Sequence, residues 1–121
     1  EMCWWQRYAH FAALALALFA FVVPRSRAPV ALAALAITVA GAIGAFHAGV
    51  EYHWWQGLTA CSTSVAASAD PLAAIMNAPL IRCDTAPWAL FGISLAGWNF
   101  LFSGAAALAT FWLLLRPKGP R

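Results

Sequence analysis

The chain has 121 residues, of which 64% are hydrophobic and only 9% are charged. A soluble domain covers its surface with about a quarter of charged residues, so this composition excludes a soluble globular protein and favours a small membrane domain. The formal net charge is +3, but the basic residues flank apolar blocks and form no patch interleaved with aromatic residues, which argues against a nucleic-acid partner.

Three apolar blocks follow one another along the chain, at about residues 4–23, 28–50 and 88–115. A transmembrane helix needs roughly 20 apolar residues to cross ~30 Å of hydrocarbon, and all three blocks reach that length, the first only just. Two prolines, Pro24 and Pro29, interrupt the chain between the first two blocks. The sequence therefore predicts an all-α membrane protein with three transmembrane helices in a single membrane domain, residues 1–121.

The basic residues indicate how these spans are oriented. Five of the seven lie in the turn after the first block and in the C-terminal tail: Arg25, Arg27, Arg116, Lys118 and Arg121. Two spans separate the turn from the tail, so both lie on one side, which the positive-inside rule places in the cytoplasm. Residues 1–5 and the loop at about 51–87 then face the periplasm, where tryptophans and tyrosines gather at the span ends as interfacial anchors.

Small and polar residues inside the spans predict contacts between helices. Gly41, Ala45 and Gly49 recur at four-residue spacing, which places them on one face of the second span and lets another backbone come close. Asn99 lies within the third span, and we expect its side chain to bond a neighbouring helix.

The periplasmic loop is long for a protein of this size. Asp70 and Pro71 are typical of the N-cap and first position of a helix, and apolar residues follow at 72–76. The pattern favours a short helix on the membrane surface and an irregular loop about equally.

All three cysteines fall on the predicted periplasmic side: Cys3, Cys61 and Cys83. That compartment is oxidising, so two of them should be paired, and Cys61 and Cys83 bracket the long loop. Closing such a loop stabilises a protein by roughly 3 kcal/mol in the chain-entropy model, so a purely structural disulfide is one interpretation. No two cysteines have the close spacing of structural zinc sites, so we predict no metal site.

Cys3 is left over, which indicates a reactive thiol or a missing partner. Arg7 follows it one helical turn later, where a cation favours the thiolate. An arginine on the periplasmic side, within the first turns of a span, goes against the positive-inside bias and is a candidate functional residue. The alternative is an arginine that snorkels to the interface.

Several segments resemble the DsbB family. Residues 1–8, EMCWWQRY, are similar to the end of its C-x-x-C motif and the aromatic-x-Arg element that follows. Residues 79–84, PLIRCD, and 88–99, WALFGISLAGWN, are similar to its second loop cysteine and the opening of its last span. The first cysteine of the C-x-x-C motif would directly precede Glu1. We therefore expect an N-terminal truncation or a degenerate copy, and a chain that is incomplete for turnover as given.

The resemblance implies a four-helix bundle in the bacterial inner membrane, with a long periplasmic loop. Such a protein reoxidises a periplasmic DsbA-like oxidase of thioredoxin fold and passes the electrons to the membrane's quinone pool, ubiquinone or menaquinone. The loop pair Cys61 and Cys83 would exchange with the partner. Cys3 would lie beside the quinone, and Arg7 would contact it.

A histidine is also implied near the quinone. His53 lies close to the matching position, and His47, one or two turns deeper, competes for the role. We expect His10 to be structural.

Two other functions compete with a quinone-linked thiol oxidase. One is a non-catalytic membrane scaffold, or a degenerate fragment, with one structural disulfide. The other is a related quinone-using protein such as those of the vitamin K epoxide reductase family, which the residues around Cys83 and the last span resemble less.

Overall fold

A computed structural model of the chain describes residues 1–58 and 85–117, together with Leu72 and Met76. These residues form three long helices and one short hairpin: α1 (Met2–Val22), α2 (Ala28–Glu51), β1 (Ala89–Leu90), β2 (Ile93–Ser94) and α3 (Leu95–Leu115). Helix α2 packs against both α1 and α3. This mostly helical architecture agrees with the predicted all-α membrane protein.

Two helices of the described residues, α2 and α3, are long and apolar enough to cross a membrane. Helix α1 has the length of a span, but three polar side chains lie in its first half: Gln6, Arg7 and His10. That α1 also crosses the membrane therefore stays a prediction.

Glycines of α2 allow it to lie close against α3. A Cβ atom on Gly44 would lie only 3.0 Å from the Ala96 carbonyl oxygen, and one on Gly41 only 3.2 Å from the Ser103 Cβ. Any larger side chain would hold the two helices apart. The predicted small-residue face is thus confirmed at Gly41, while Gly49 lies against the Trp55 ring instead.

The basic turn between α1 and α2 lies beside the C-terminus of α3. The Arg27 guanidinium donates to the Leu114 carbonyl at 2.8 Å, one of the terminal carbonyls that lack a partner within the helix. Nearby, the Arg116 guanidinium stacks 3.4 Å from the Trp112 ring. The turn and the end of α3 therefore lie at the same end of the molecule, as the charge pattern predicted.

A hairpin precedes α3, where the sequence predicted an uninterrupted span from about residue 88. Strands β1 and β2 are antiparallel, and both turn residues, Phe91 (φ 52°) and Gly92 (φ 76°), are left-handed, as in a type I′ turn. The Tyr52 hydroxyl donates to the Gly92 carbonyl and accepts from the Ser94 N–H, both at 3.0 Å. Helix α3 then begins at Leu95, because the Ser94 hydroxyl caps it by accepting from the Gly97 N–H.

Most of the long loop lies outside the described residues, including Cys61, Cys83 and the predicted helix start at Asp70. Leu72 and Met76 have helical backbone conformation and exposed side chains. The disulfide between Cys61 and Cys83 stays a prediction.

Candidate functional site

The antiparallel packing of α1 and α2 brings Cys3 next to His47. Cys3 lies in the first turn of α1, and His47 lies in the last turns of α2, at the end of the molecule opposite the basic turn. The Cys3 Sγ lies 3.9 Å from Nδ1 of His47. The thiol belongs to an exposed residue and forms no disulfide with a described cysteine, whereas the imidazole is buried. The exposed Cys3 thus lies beside the buried imidazole of His47.

A chain of hydrogen bonds fixes the amide side chains around His47. The Ala40 carbonyl can only accept, so the Asn99 atom 3.1 Å from it is the amide nitrogen. That nitrogen also donates to the Gln6 side-chain oxygen at 2.6 Å. The Gln6 amide nitrogen therefore points the other way and donates to Nδ1 of His47 at 3.1 Å.

The same hydrogen bonds determine the tautomer of His47. Because an amide N–H donates to Nδ1, Nδ1 holds the lone pair and Nε2 carries the proton in the neutral ring. Nε2 faces the Glu51 carboxylate, with 3.7 Å to Oε1. The unprotonated ring nitrogen, whose lone pair accepts from Gln6, therefore lies on the side of Cys3, and the ring N–H lies on the side of Glu51.

Glu51 is the last residue of α2, one helical turn beyond His47. Its side chain is only 5% exposed, and no donor among the described residues bonds Oε2. A buried carboxylate costs free energy unless a cation or a donor compensates it. His47 is the side chain placed to do so.

The polar cluster continues deeper between α1 and α3. The Ser103 hydroxyl donates to the Asn99 side-chain oxygen at 2.9 Å and lies 3.4 Å from Nε2 of His10. The other ring nitrogen of His10 donates to the Gln6 backbone carbonyl at 2.8 Å. These contacts join helices and carry no reactive group, which agrees with the structural role expected for His10.

Aromatic and cationic side chains lie on the outer side of α1 next to Cys3. The Arg7 guanidinium lies over the Trp4 ring, 4.9 Å from its centroid, and the Trp4 and Tyr8 rings are 6.0 Å apart. All three residues are exposed. Flat rings and a guanidinium suit a planar ligand that carries carbonyl oxygens, so the residues present fit a quinone.

His53 lies apart from this cluster, at the end of α2. Its φ of 59° is left-handed, its N–H donates to the Val50 carbonyl at 3.1 Å, and the Trp54 N–H donates to the Gly49 carbonyl at 2.8 Å. This is the Schellman arrangement that ends a helix, with His53 at the position that glycine usually occupies. Of the two candidate histidines, the structure brings His47 to Cys3, and the quinone-side role of His53 stays a prediction.

Sequence reasoning missed Gln6 and Glu51. A carboxylate one helical turn after a histidine, as in His47 and Glu51, is a signal that could have found this pair. The described residues contain no group of three or more potential metal ligands.

Comparison with known proteins gives one family. The family model described as disulfide bond formation protein DsbB matches residues 1–113, nearly the whole chain. Searches of curated proteins and of solved structures gave no significant match.

Proposed function

Because the chain belongs to the DsbB family and is a membrane protein of disulfide bond formation, we propose that it is a thiol:quinone oxidoreductase of the bacterial inner membrane. In this proposal it reoxidises a periplasmic DsbA-like partner of thioredoxin fold and passes the electrons to ubiquinone or menaquinone. The protein lies in the lipid bilayer, and the bilayer also holds the quinone pool.

The contact between Cys3 and His47 carries the proposal. A thiol that shuttles electrons must become a thiolate, since the thiolate is the nucleophile in disulfide exchange. Nδ1 of His47, the unprotonated ring nitrogen, lies 3.9 Å from the sulfur. Gln6 donates to that nitrogen in the resting ring, so the thiol proton can reach it when the Gln6 N–H turns to the Met2 carbonyl. A cysteine in a purely structural role has no need of a buried base whose tautomer is fixed in this way.

The two sets of cysteines have separate tasks in the proposed reaction. A thiolate of the reduced partner attacks the disulfide of Cys61 and Cys83, and a mixed disulfide forms and resolves. The partner leaves oxidised and the loop pair is left as two thiols. The electron pair then passes to the cysteine pair to which Cys3 belongs. Cys3 lies at the end of α1 beside the predicted membrane surface, where a lipid-soluble acceptor can arrive.

Arg7, Trp4 and Tyr8 would hold the quinone beside Cys3. A quinone supplies a two-electron, two-proton acceptor for the reaction. The guanidinium of Arg7 donates hydrogen bonds in a fixed plane, so it can bind a carbonyl oxygen and stabilise negative charge that develops there. The exposed rings of Trp4 and Tyr8 offer apolar area for a flat ring. His53 is the further quinone neighbour that the family resemblance implies.

Replacement of Cys3 by serine tests the proposal. The full-length gene product carrying Cys3→Ser should lose quinone-dependent oxidation of a reduced thioredoxin-like partner, because serine cannot carry the electron pair. Its thermal unfolding should match that of the wild type, since Cys3 is exposed. A Thr110→Ser variant, distant from the cluster on α3, is the control. Wild-type oxidation by Cys3→Ser would contradict the proposed function.

A further inference from the structure

We propose that His47 is the catalytic base for the Cys3 thiol, and that Glu51 is the positioning residue that orients His47 and stabilises its protonated form. The inference rests on the proposed function, because it assigns the proton step of the same site. It stands on three observations: the fixed tautomer of His47, the buried Glu51 carboxylate and the position of Cys3.

The direction of the proton transfer follows from the hydrogen bonds that orient the ring. The Ala40 carbonyl fixes the Asn99 amide, Asn99 fixes the Gln6 amide, and Gln6 donates to Nδ1 of His47. Nδ1 is therefore unprotonated in the resting ring and faces the thiol. A base must present a lone pair to the proton it takes. The one in-plane lone pair of Nδ1 accepts from Gln6 in the resting ring, so it becomes available to the thiol when the Gln6 N–H turns away.

Gln6 has a second acceptor available once Nδ1 is protonated. Its amide nitrogen lies 3.5 Å from the Met2 carbonyl oxygen as well as 3.1 Å from Nδ1. The Gln6 N–H turns to Met2 as the thiol proton moves to Nδ1, and Nδ1–H then donates to the sulfur. The network therefore accommodates both protonation states of His47 without leaving a buried donor unpaired.

Glu51 supplies the charge that the protonated imidazole needs. Burial disfavours a cation unless an anion lies beside it, and Oε1 of Glu51 lies 3.7 Å from Nε2 of His47. The second oxygen, Oε2, is buried and has no partner among the described residues. Burial destabilises this carboxylate, so it is stabilised most when its neighbour His47 becomes a cation.

The proposed step moves one proton and no electrons. The S–H bond of Cys3 breaks, an N–H bond forms at Nδ1 of His47, and the sulfur keeps the electron pair as a thiolate. The product is a thiolate beside an imidazolium, which in turn faces the Glu51 carboxylate. Net charge in the cluster is unchanged, so burial does not oppose the transfer as it would oppose the creation of one isolated charge.

Few other ionisable groups face His47. From α1 the group is Cys3, and from α2 it is Glu51. Helix α3 packs on the other side and contains no Asp, Glu, Lys, Arg or His between Leu95 and Leu115. Glu51 is thus the carboxylate within ion-pair distance of His47 among the described residues.

The rate of Cys3 alkylation as a function of pH tests this inference without quinone or partner. The full-length gene product in detergent is reduced, alkylated with iodoacetamide, and read by mass spectrometry at the peptide that contains Cys3. We expect His47→Gln to lower the rate near neutral pH by about tenfold and to move the profile to higher pH, since only the thiolate reacts. Glu51→Gln should act in the same direction, and Glu51→Asp should give an intermediate rate.

Thr110→Ser is the control, because Thr110 lies on α3 away from Cys3 and His47, bonds the Ala106 carbonyl of its own helix, and should leave the profile unchanged. If Glu51→Gln does not fold, Glu51→Asp decides, since it keeps the charge and shortens the side chain. A wild-type profile in His47→Gln, or in the folded Glu51 variant, would overturn the inference. Normal turnover with unchanged profiles would refute the roles of His47 and Glu51 but leave the proposed function standing. Altered profiles in a protein that quinone does not oxidise would support the roles of His47 and Glu51 and refute the proposed function.

Discussion

Asn99 of α3 donates from one side-chain nitrogen to Gln6 of α1, at 2.6 Å, and to the Ala40 carbonyl of α2, at 3.1 Å. One amide thus joins all three helices and orients the side chain that donates to His47. The sequence predicted that Asn99 would bond a neighbouring helix, and this is confirmed. Asn99 therefore holds the helices together and also orients Gln6 beside His47.

Asn99→Ala should lower the free energy of unfolding by about 1–2 kcal/mol, because it leaves the buried Gln6 side-chain oxygen without its donor and removes the bond to the Ala40 carbonyl. The measurement is unfolding of the detergent-solubilised protein by a denaturing detergent. Thr110→Ala is the control on the same helix, since the Thr110 hydroxyl donates within α3, to the Ala106 carbonyl. Equal stability of the two variants would show that Asn99 does not hold the helices together.

Gly44 and Gly104 form a matched pair for the packing of α2 on α3. A Cβ on Gly44 would lie 3.0 Å from both the Ala96 carbonyl oxygen and the Asn99 side chain, whereas one on Gly104 meets nothing within 4 Å. We expect Gly44→Ala to cost about 1–3 kcal/mol through overpacking. Gly104→Ala should be neutral or stabilising by up to about 1 kcal/mol, because alanine favours a helix. Unfolding titrations that give the reverse order would refute this account of the interface.

The left-handed backbone of His53 predicts that a substitution to glycine stabilises the protein, unlike the substitutions of Asn99 and Gly44. Glycine adopts this conformation without the strain of a Cβ atom, so His53→Gly should stabilise the protein by about 1 kcal/mol. His53→Val should destabilise it, since a β-branched side chain is strained at positive φ. Thermal unfolding in detergent distinguishes the two. A loss of stability in His53→Gly would mean that the imidazole itself makes contacts that hold the end of α2.

Arg7 should affect quinone reduction more than stability. It is exposed, and its guanidinium contacts Trp4 on its own helix, so its removal should leave thermal unfolding nearly unchanged. Arg7→Gln should raise the apparent KM for quinone, lower the rate, or both, and Arg7→Lys should restore function only in part, because lysine lacks the planar fork of donors. The test is quinone-dependent thiol oxidation over a range of quinone concentrations. Wild-type kinetics in Arg7→Gln would leave Arg7 as a snorkelling residue.

The sequence predicted the helices better than the site, for physical reasons. The length of an apolar block and the basic residues beside it predict where a helix lies and where it ends. Helix α2, for example, begins at Ala28 as expected. The hairpin before α3 was not predicted, because its residues are as apolar as those of a span and the cap at Ser94 is a weak signal. The contact of Cys3 with His47 depends on how α1 and α2 align, which neither helix encodes alone.

The stoichiometry of quinone reduction by the full-length gene product tests directly whether the protein is a thiol:quinone oxidoreductase. The protein in detergent is mixed with a reduced thioredoxin-like partner and a soluble ubiquinone analogue, and quinol formed and thiols lost are measured together. We expect one quinol for every two partner thiols oxidised, no thiol loss without quinone beyond what the protein's own disulfides accept, and no quinol formation by Cys3→Ser. Thiol loss that continues without quinone, or an absence of quinol while the protein is folded and its cysteines are intact, would contradict the proposed function.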